Sequence, residues 1–347
     1  MVLIESFLNR CWYGHGIGCL VARWLLIPFS LLFRLLAASR VLAYRWGWLH
    51  AERLPVPVVV VGNLTAGGAG KTPLTLALVT WLQEAGYKPG IVSRGYGGRG
   101  RQAMPVLPDS DPVLVGDEPV LLARRAGCPV WVGRKRAEAG RQLLLFHPEV
   151  DVLVADDGLQ HYALARDMEF VVVDGQRGFG NGWSLPAGPL REPMRRLKQA
   201  GAVVLNGDAP FNLDIPLFRM RMRGERFSNL LDPGQTVDAS ALADAPAHAI
   251  AGIGNPQRFF DSLLEKGLSV VPHAFPDHHA FKPEDLPAGR LVMTEKDAVK
   301  IAPLAQELGR QDCWVLAVDA ELEPGLKELM LSQLNKDLGR HHGPQTA

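Results

Sequence analysis

Residues 62–72 read Gly62-Asn63-Leu64-Thr65-Ala66-Gly67-Gly68-Ala69-Gly70-Lys71-Thr72. These types at this spacing suit the binding of phosphate groups. A glycine-rich turn lets successive backbone N–H groups wrap an anion. Lys71 then supplies a mobile positive charge, and Thr72 a hydroxyl ligand for Mg²⁺. The flanks agree. The valines at 58–61 form a buried-strand pattern, and Pro73 opens a helical pattern that closes at Gly86. Thr65, Ala66, Gly67, Gly68, Ala69, Gly70, Lys71 and Thr72 are therefore the expected nucleotide phosphate cradle. One departure stands out: the usual pattern has glycine five residues before Gly70, where this chain has Thr65.

Other clusters have two or more readings. The apolar run at 152–155 ends in Asp156-Asp157, where a P-loop enzyme needs an acid for Mg²⁺; alone, it would be an ordinary Asp-Asp-Gly turn. Gln160 and His161 follow closely enough to line the same crevice. Asp117-Glu118-Pro119 precedes a helical pattern, so Asp117 is either a helix cap or a base for a substrate hydroxyl. Asp277-His278-His279 fits a metal site, a surface loop or a catalytic pair, and spacing does not choose among them. Basic residues gather between these motifs: Arg94, Arg124, Arg125, Arg134, Lys135, Arg136, Arg191, Arg195, Arg196 and Lys198. Arginine favours bidentate contact with phosphate, although most single arginines sit on solvated faces or in structural ion pairs.

These residues need elements to carry them. Strand patterns at 56–61, 89–93, 129–132, 152–155, 170–173 and 202–205 alternate with helical patterns at 73–85, 118–126 and 134–146. That alternation predicts an α/β fold with a P-loop NTPase-like three-layer domain and a mainly parallel sheet. Ligands on such sheets bind beyond the carboxyl ends of the strands, where 65–72 and Asp156-Asp157 both fall. The alternating apolar and basic residues of 217–223 read as a strand with one wet face, pairing with 227–230 as a two-stranded ribbon. A smaller C-terminal α/β domain follows, with patterns at 248–253, 257–266, 290–293 and 313–318. The expected division is 1–48 N-terminal segment, 49–215 P-loop domain, 216–245 linker, 246–336 smaller domain and 337–347 polar tail.

The 347 residues are enough to bury a full core and two domains. A net charge of +1 carries no global nucleic-acid footprint. Cys11, Cys19, Cys128 and Cys313 show no paired spacing, which argues against a zinc site or disulfide framework. The first 53 residues hold six arginines against two glutamates, and four of the eight tryptophans. Their apolar run at 25–33 falls short of the roughly 20 residues of a membrane span. Basic residues mixed with Trp and Leu read instead as a helix lying in a membrane interface, the alternatives being a core-packed helix and a true span.

Taken in order, the motifs resemble those of the tetraacyldisaccharide 4′-kinase family. The resemblance rests on Gly62 to Pro73, Ser93-Arg94-Gly95-Tyr96-Gly97-Gly98, Gly116-Asp117-Glu118-Pro119 and Asp156-Asp157-Gly158-Leu159-Gln160-His161. It extends through Phe179-Gly180-Asn181-Gly182, Leu185 to Glu192, Ala251 to Pro256, Phe275 to His279, and Thr294 to Ala298. It implies transfer of the ATP γ-phosphate to the 4′-hydroxyl of a lipid-linked glucosamine disaccharide 1-phosphate. It further implies a monomeric enzyme that uses ATP and Mg²⁺, binds no nucleic acid, and works on the cytoplasmic face of the bacterial inner membrane. Asp117 would be the base and His278 its partner. Lys71 would stabilise phosphoryl charge, while Thr72, Asp156 and Asp157 hold Mg²⁺. Arg94, Glu118, Arg136, Gln160, Arg191 and Glu192 fall to the substrate, with Arg94, Arg136 and Arg191 forming a basic crevice for its 1-phosphate. The rival expectations are a P-loop ATPase or synthetase acting on a soluble metabolite, and a membrane-recruited nucleotide switch.

Overall fold

The computed structural model describes residues 2–14, 16–209 and 213–341, the side chains of 2–6 and 337–341 excepted. The chain opens with helices α1 (Val2–Tyr13) and α2 (Ile17–Arg45). The first sheet then builds up from β1 (Val58–Gly62), β2 (Pro89–Ser93), β3 (Met104–Val106), β4 (Val130–Val132), β5 (Val152–Ala155), β6 (Met168–Asp174), β7 (Ala202–Asn206) and β8 (Leu217–Arg223). The second sheet comprises β9 (Arg226–Asn229), β10 (Thr236–Asp238), β11 (Ala247–Ala251), β12 (Val270–Ala274), β13 (Leu291–Thr294) and β14 (Cys313–Leu316). A last strand, β15 (Asp319–Leu322), returns to the first sheet.

Among the described residues the first sheet has nine strands in the order β15-β8-β7-β6-β1-β5-β2-β4-β3. Its seven central strands are parallel, and β15 and β3 close the edges antiparallel. The valines of β1 show why it is central. Strand alternation sends Val59 and Val61 to one face and Val58 and Val60 to the other. The first pair packs with Leu74, Leu78 and Leu82 of α3 (Lys71–Glu84); the second with Ala139 and Leu143 of α6 (Arg136–Phe146). Two buried faces require an all-apolar strand, and all five β1 residues are buried. This is the expected three-layer domain. Between α3 and α6 lie α4 (Pro112–Val115) and α5 (Asp117–Arg125).

The second sheet, in the order β10-β9-β14-β13-β11-β12, repeats the logic on a smaller scale. Helix α7 (Pro256–Glu265) covers one face through Phe259, Phe260 and Leu263, and α8 (Glu295–Glu307) the other through Ile301 and Ala305. The linker differs in detail from the sequence expectation. Strands β8 and β9 do not pair with each other: β8 pairs with β7 and β15, and β9 with β14 and β10. Strand β8 thus joins the first sheet between β7 and β15, and the chain crosses between sheets twice. Helix α9 (Gly325–His341) follows β15 and buries Leu326, Met330 and Leu334 in the core of the first sheet, although the sequence grouped 246–336 with the smaller domain. The polar tail expected from 337 is helical to His341, and residues 342–347 lie outside the described ones.

The N-terminal apolar run is part of a longer element than its composition suggested. Helix α2 continues through Pro28 for 29 residues, about 43 Å at the α-helical rise. By length and composition it could cross a membrane. Its midpoint, however, is docked on the protein body: Ser30 is fully buried and donates to the Ser184 carbonyl at 2.7 Å. Trp12 of α1 donates to the Pro186 carbonyl at 2.9 Å. The opposite face exposes Trp24, Leu25, Phe29, Leu32, Leu35 and Leu36.

Candidate active site

The phosphate loop leaves β1 and enters α3. Gly70 sits at φ 97°, a left-handed conformation that an L side chain rarely adopts, and a Cβ there would also meet the Asn206 amide at 2.6 Å. Asn206, at the end of β7, donates to the Ala69 carbonyl at 3.0 Å. Asn63 braces the turn from inside, donating to the Thr65 carbonyl at 2.8 Å and the Gly67 carbonyl at 3.2 Å. Its side-chain oxygen Oδ1 accepts from Lys71 Nζ at 3.3 Å. Thr65 also explains the missing first glycine. It forms an isolated antiparallel bridge with Leu190, and Ala66 N–H donates to the Pro189 carbonyl at 2.8 Å. The loop therefore begins as extended backbone held by residues 184–191, and extended backbone needs no glycine.

The two carboxylates after β5 differ sharply. Asp156 is fully buried and accepts from Thr75 Oγ1 at 3.0 Å, while its Oδ2 has no hydrogen-bond partner. Burial, reinforced by Glu118, pushes its carboxyl up to about 7. Asp157 adopts φ 47° and pairs with Arg191 at 3.1 Å and Lys71 at 3.5 Å. Burial alone would raise its carboxyl too, but Lys71, Arg191 and Arg136 hold it well below the usual carboxylate range. The orphaned Asp156 oxygen and the Asp157 carboxylate are hard oxygen donors of the kind a divalent cation takes, and Thr72 brings a hydroxyl at the start of α3.

Across from these, α5 begins at Asp117, which is buried. His278 Nδ1 lies 3.0 and 3.1 Å from the two Asp117 oxygens, joining residues 161 apart in sequence. Among the described residues the non-glycine positions with positive φ are Asp157 and His278, the latter at 59°. Both belong to this site, and such backbone strain persists where surrounding contacts enforce it. Burial works to lift the Asp117 carboxyl, but its hydrogen bond to His278 and the charges of Lys296 and Lys300 hold it far below the ordinary range. Burial in turn lowers the His278 imidazole, and Asp117 outweighs that to leave it above 6.5.

The remaining sequence-predicted residues divide. Gln160 donates to the Asn63 carbonyl at 3.1 Å, against the phosphate loop. Glu118 accepts from Lys296 at 3.0 Å beside the Asp117–His278 pair. Arg94 is exposed, whereas Arg136 is buried and its Nη2 donates to the backbone carbonyls of Asp156 and Asp157. That contact makes Arg136 a brace for the carboxylate turn. Glu192 is tied to Tyr162 at 3.0 Å and Arg196 at 3.3 Å. His161 is pushed down to about 4 by burial and then by Arg136 and Arg166, and its Nε2 accepts from the Arg136 N–H at 3.3 Å. Residues to which the sequence assigned no role are Asn63, Asn206, Lys296 and Lys300. A faint signal was available for the lysines: four apart, they share one face of α8.

Much of the site lies between the two sheets. Arg258 of α7 donates to Asn206 Oδ1 at 2.7 Å. Arg125 of α5 pairs with Glu295 of α8 at 2.8 Å. Gly254 approaches Gly68 so closely that a Cβ at Gly254 would overlap the loop backbone.

The chain as a whole has known relatives. Residues 22–335 match the family described as Tetraacyldisaccharide-1-P 4'-kinase. The tetraacyldisaccharide 4′-kinase of Chromobacterium violaceum is 51% identical over 347 residues, 98% of this chain and 100% of that protein. That of Dechloromonas aromatica is 52% identical over 339 residues, covering 96% of this chain and 98% of the relative. The crystal structure of LpxK from Aquifex aeolicus in complex with ATP matches with a TM-score of 0.75 at 28% identity, covering 90% of this chain and 99% of that one. The chain therefore belongs to the tetraacyldisaccharide-1-P 4′-kinase family.

Proposed function

We propose that this phosphotransferase moves the γ-phosphoryl group of ATP to the 4′-hydroxyl of a tetraacylated glucosamine disaccharide 1-phosphate. The observation that carries the reading is the Asp117–His278 pair, 3.0 Å apart, in a chain that also presents Lys71 at the phosphate loop. Asp117 accepts the hydroxyl proton as the sugar oxygen forms its bond to the γ-phosphorus and the bond to the β,γ-bridging oxygen breaks. His278 orients Asp117. Lys71 follows the charge on the moving group, and the backbone N–H groups of residues 67–72 hold the phosphates that stay on ADP. Thr72, Asp156 and Asp157 would hold Mg²⁺, which when bound neutralises charge on the terminal phosphates. Arg94 and Arg191 are the cations left for the substrate's 1-phosphate, given the buried position of Arg136.

The outward face of α2 supplies the surface that meets the lipid. Its midpoint is fixed to the body at Ser30, so the helix lies along a bilayer interface and does not cross it. The enzyme is a peripheral protein of the cytoplasmic face of the inner membrane and works as a monomer. Labelled ATP, the disaccharide lipid and a detergent provide the test. Label should reach the lipid with wild type and be lost in Asp117→Ala and Lys71→Ala. Rapid ATP hydrolysis with unlabelled lipid would overturn the reading.

A further inference from the structure

Lys296 lies on the first turn of α8 and points into the space between α5 and the loop that carries His278. Its ammonium has three donors and no acceptor. Three acceptors surround it: Asp277 Oδ1 at 2.9 Å, Glu118 Oε1 at 3.0 Å and His278 Nε2 at 3.4 Å. On a neutral ring, an ammonium at this position donates to the imidazole nitrogen where that nitrogen carries the lone pair. The other ring nitrogen, Nδ1, then bears the proton and donates it to Asp117 at 3.0 Å.

Resting on the reading of Asp117 as base, we infer that Lys296 is a positioning residue that, acting with Asp117, fixes neutral His278 as the Nδ1–H tautomer. The alternative tautomer would set an Nδ1 lone pair against the Asp117 carboxylate and dislodge it. Asp277 Oδ1, 3.8 Å from Nε2, would favour that alternative, but Lys296 occupies this oxygen. The groups facing His278 are few enough to name. Asp117 and Glu118 come from α5, and Lys296 and Lys300 from α8, with Lys300 3.4 Å from Asp117 and 3.3 Å from Asp297. Asp277 comes from its own loop, and Tyr96 packs against the ring at a tilt of 53°, 4.8 Å between centroids. Asp117 at Nδ1 and Lys296 at Nε2 select the same ring-proton position from opposite sides of the imidazole, and the charge of Lys296 also opposes imidazolium formation.

The test is a nitrogen NMR spectrum of the full chain in detergent, with ¹⁵N-labelled histidine, titrated upward until His278 is neutral. The His278 signals are assigned by their loss in His278→Asn. Wild type should show the proton on Nδ1. Lys296→Met frees Asp277 to compete with Asp117 for the ring proton, and should shift part of the neutral population to the Nε2–H form, lower kcat by about tenfold or more with KM for ATP little changed, and shift the acid limb of the pH profile upward. Lys296→Arg keeps the charge but not the compact three-donor geometry, and should recover the limb without recovering full kcat. A proton on Nε2 in wild type overturns the inference even if Lys296→Met fails to fold. So does a folded Lys296→Met that keeps the wild-type tautomer and pH profile. Loss of turnover in Asp117→Ala and His278→Ala alongside either result confines the failure to Lys296; wild-type turnover in those two variants would remove the underlying reading instead.

Discussion

Gly254→Ala tests whether turnover requires the two sheets to meet. Gly254 belongs to the loop between β11 and α7, and its backbone touches the phosphate loop. A Cβ at this position would lie 3.1 Å from the Gly68 Cα and overlap the Gly68 nitrogen. Backbone cannot rotate aside as a side chain can, so the second sheet must back away by about 1 Å to restore ordinary contact. That retreat stretches the 2.7 Å Arg258–Asn206 hydrogen bond and the 3.0 Å His278–Asp117 contact. A misplacement of about 1 Å in a phosphoryl-transfer site costs about 10²-fold in rate. Gly254→Ala should therefore lose about that much kcat, measured by label transfer to lipid. Its melting temperature should fall by a few degrees at most, because each sheet keeps its own core. The facing change, Gly68→Ala, meets Gly254 at 3.8 Å and should leave the approach of the two sheets, read by hydrogen exchange at residues 252–256, as in wild type. A Gly254→Ala enzyme within about threefold of wild-type kcat would refute the reasoning, since the close approach would then be dispensable for catalysis.

Thr75→Val removes the hydrogen bond to the buried Asp156 carboxylate and should cost about 1–3 kcal/mol in urea unfolding without nucleotide or metal; an unchanged midpoint would count against this role for Thr75. His278 has its pKa raised above 6.5, so the stability it adds is complete below its unfolded value and is lost as pH rises through the folded one. The melting gap between wild type and His278→Gln should accordingly be widest below pH 6.5 and narrow on the alkaline side; a gap that widens with pH would reverse the sign. Leu32 and Leu35 are 53% and 66% exposed on the outward face of α2. With about 1.5–3 kcal/mol available from burying each, Leu32→Glu with Leu35→Glu should weaken vesicle partitioning by about 10² or more in co-sedimentation, while binding of a fluorescent ATP analogue persists.

What the sequence made legible was local. The phosphate loop, its flanking strand and helix, and Asp156-Asp157 lie in short contiguous runs whose residue types dictate backbone and charge together. The valines of β1 announced a strand buried on both faces, and it is one. Long-range pairing was not legible. The wet strand β8 found its partner in β15, nearly a hundred residues on, because alternation marks a half-buried strand without naming its neighbour. Asp117 and His278 were joined in sequence only through family resemblance; nothing in their own spacing predicts a 3.0 Å contact. Arg136 illustrates a different loss. Counted as charge it belongs with Arg94 and Arg191, but burial turns it into a brace for two backbone carbonyls. Lys296 and Lys300 suffered the converse, since lysines on an amphipathic helix ordinarily read as solvated.

The distribution of charge gives a physical reason for building the site from two sheets. The first sheet's domain carries Asp117 and Glu118; the second carries Lys296, Lys300 and His278, together with Asp277 and Asp297, which pair with the two lysines from within that unit. Apart, each set is solvated at little cost. Together, each buried charge meets partners of opposite sign, with Lys296 held between Glu118 and Asp277 and Asp117 between His278 and Lys300. Desolvation on closing opposes these attractions, and for buried ion pairs the two are of similar size. Parting the two sheets would therefore cost little in electrostatics, and a few kcal/mol of differential contact from a bound substrate would decide whether they part. A bulky lipid needs that property. A site held shut by hydrophobic contact would resist its arrival, and one held open would leave the γ-phosphate to water. Replacing Lys296 and Lys300 together by Met should thus do more than slow the chemistry. By leaving Asp117 and Glu118 short of buried partners, it should favour the open form, raise the exchange of residues 252–256, and increase ATP hydrolysis relative to lipid transfer. An unchanged ratio of hydrolysis to transfer would show that closure draws its stability from elsewhere.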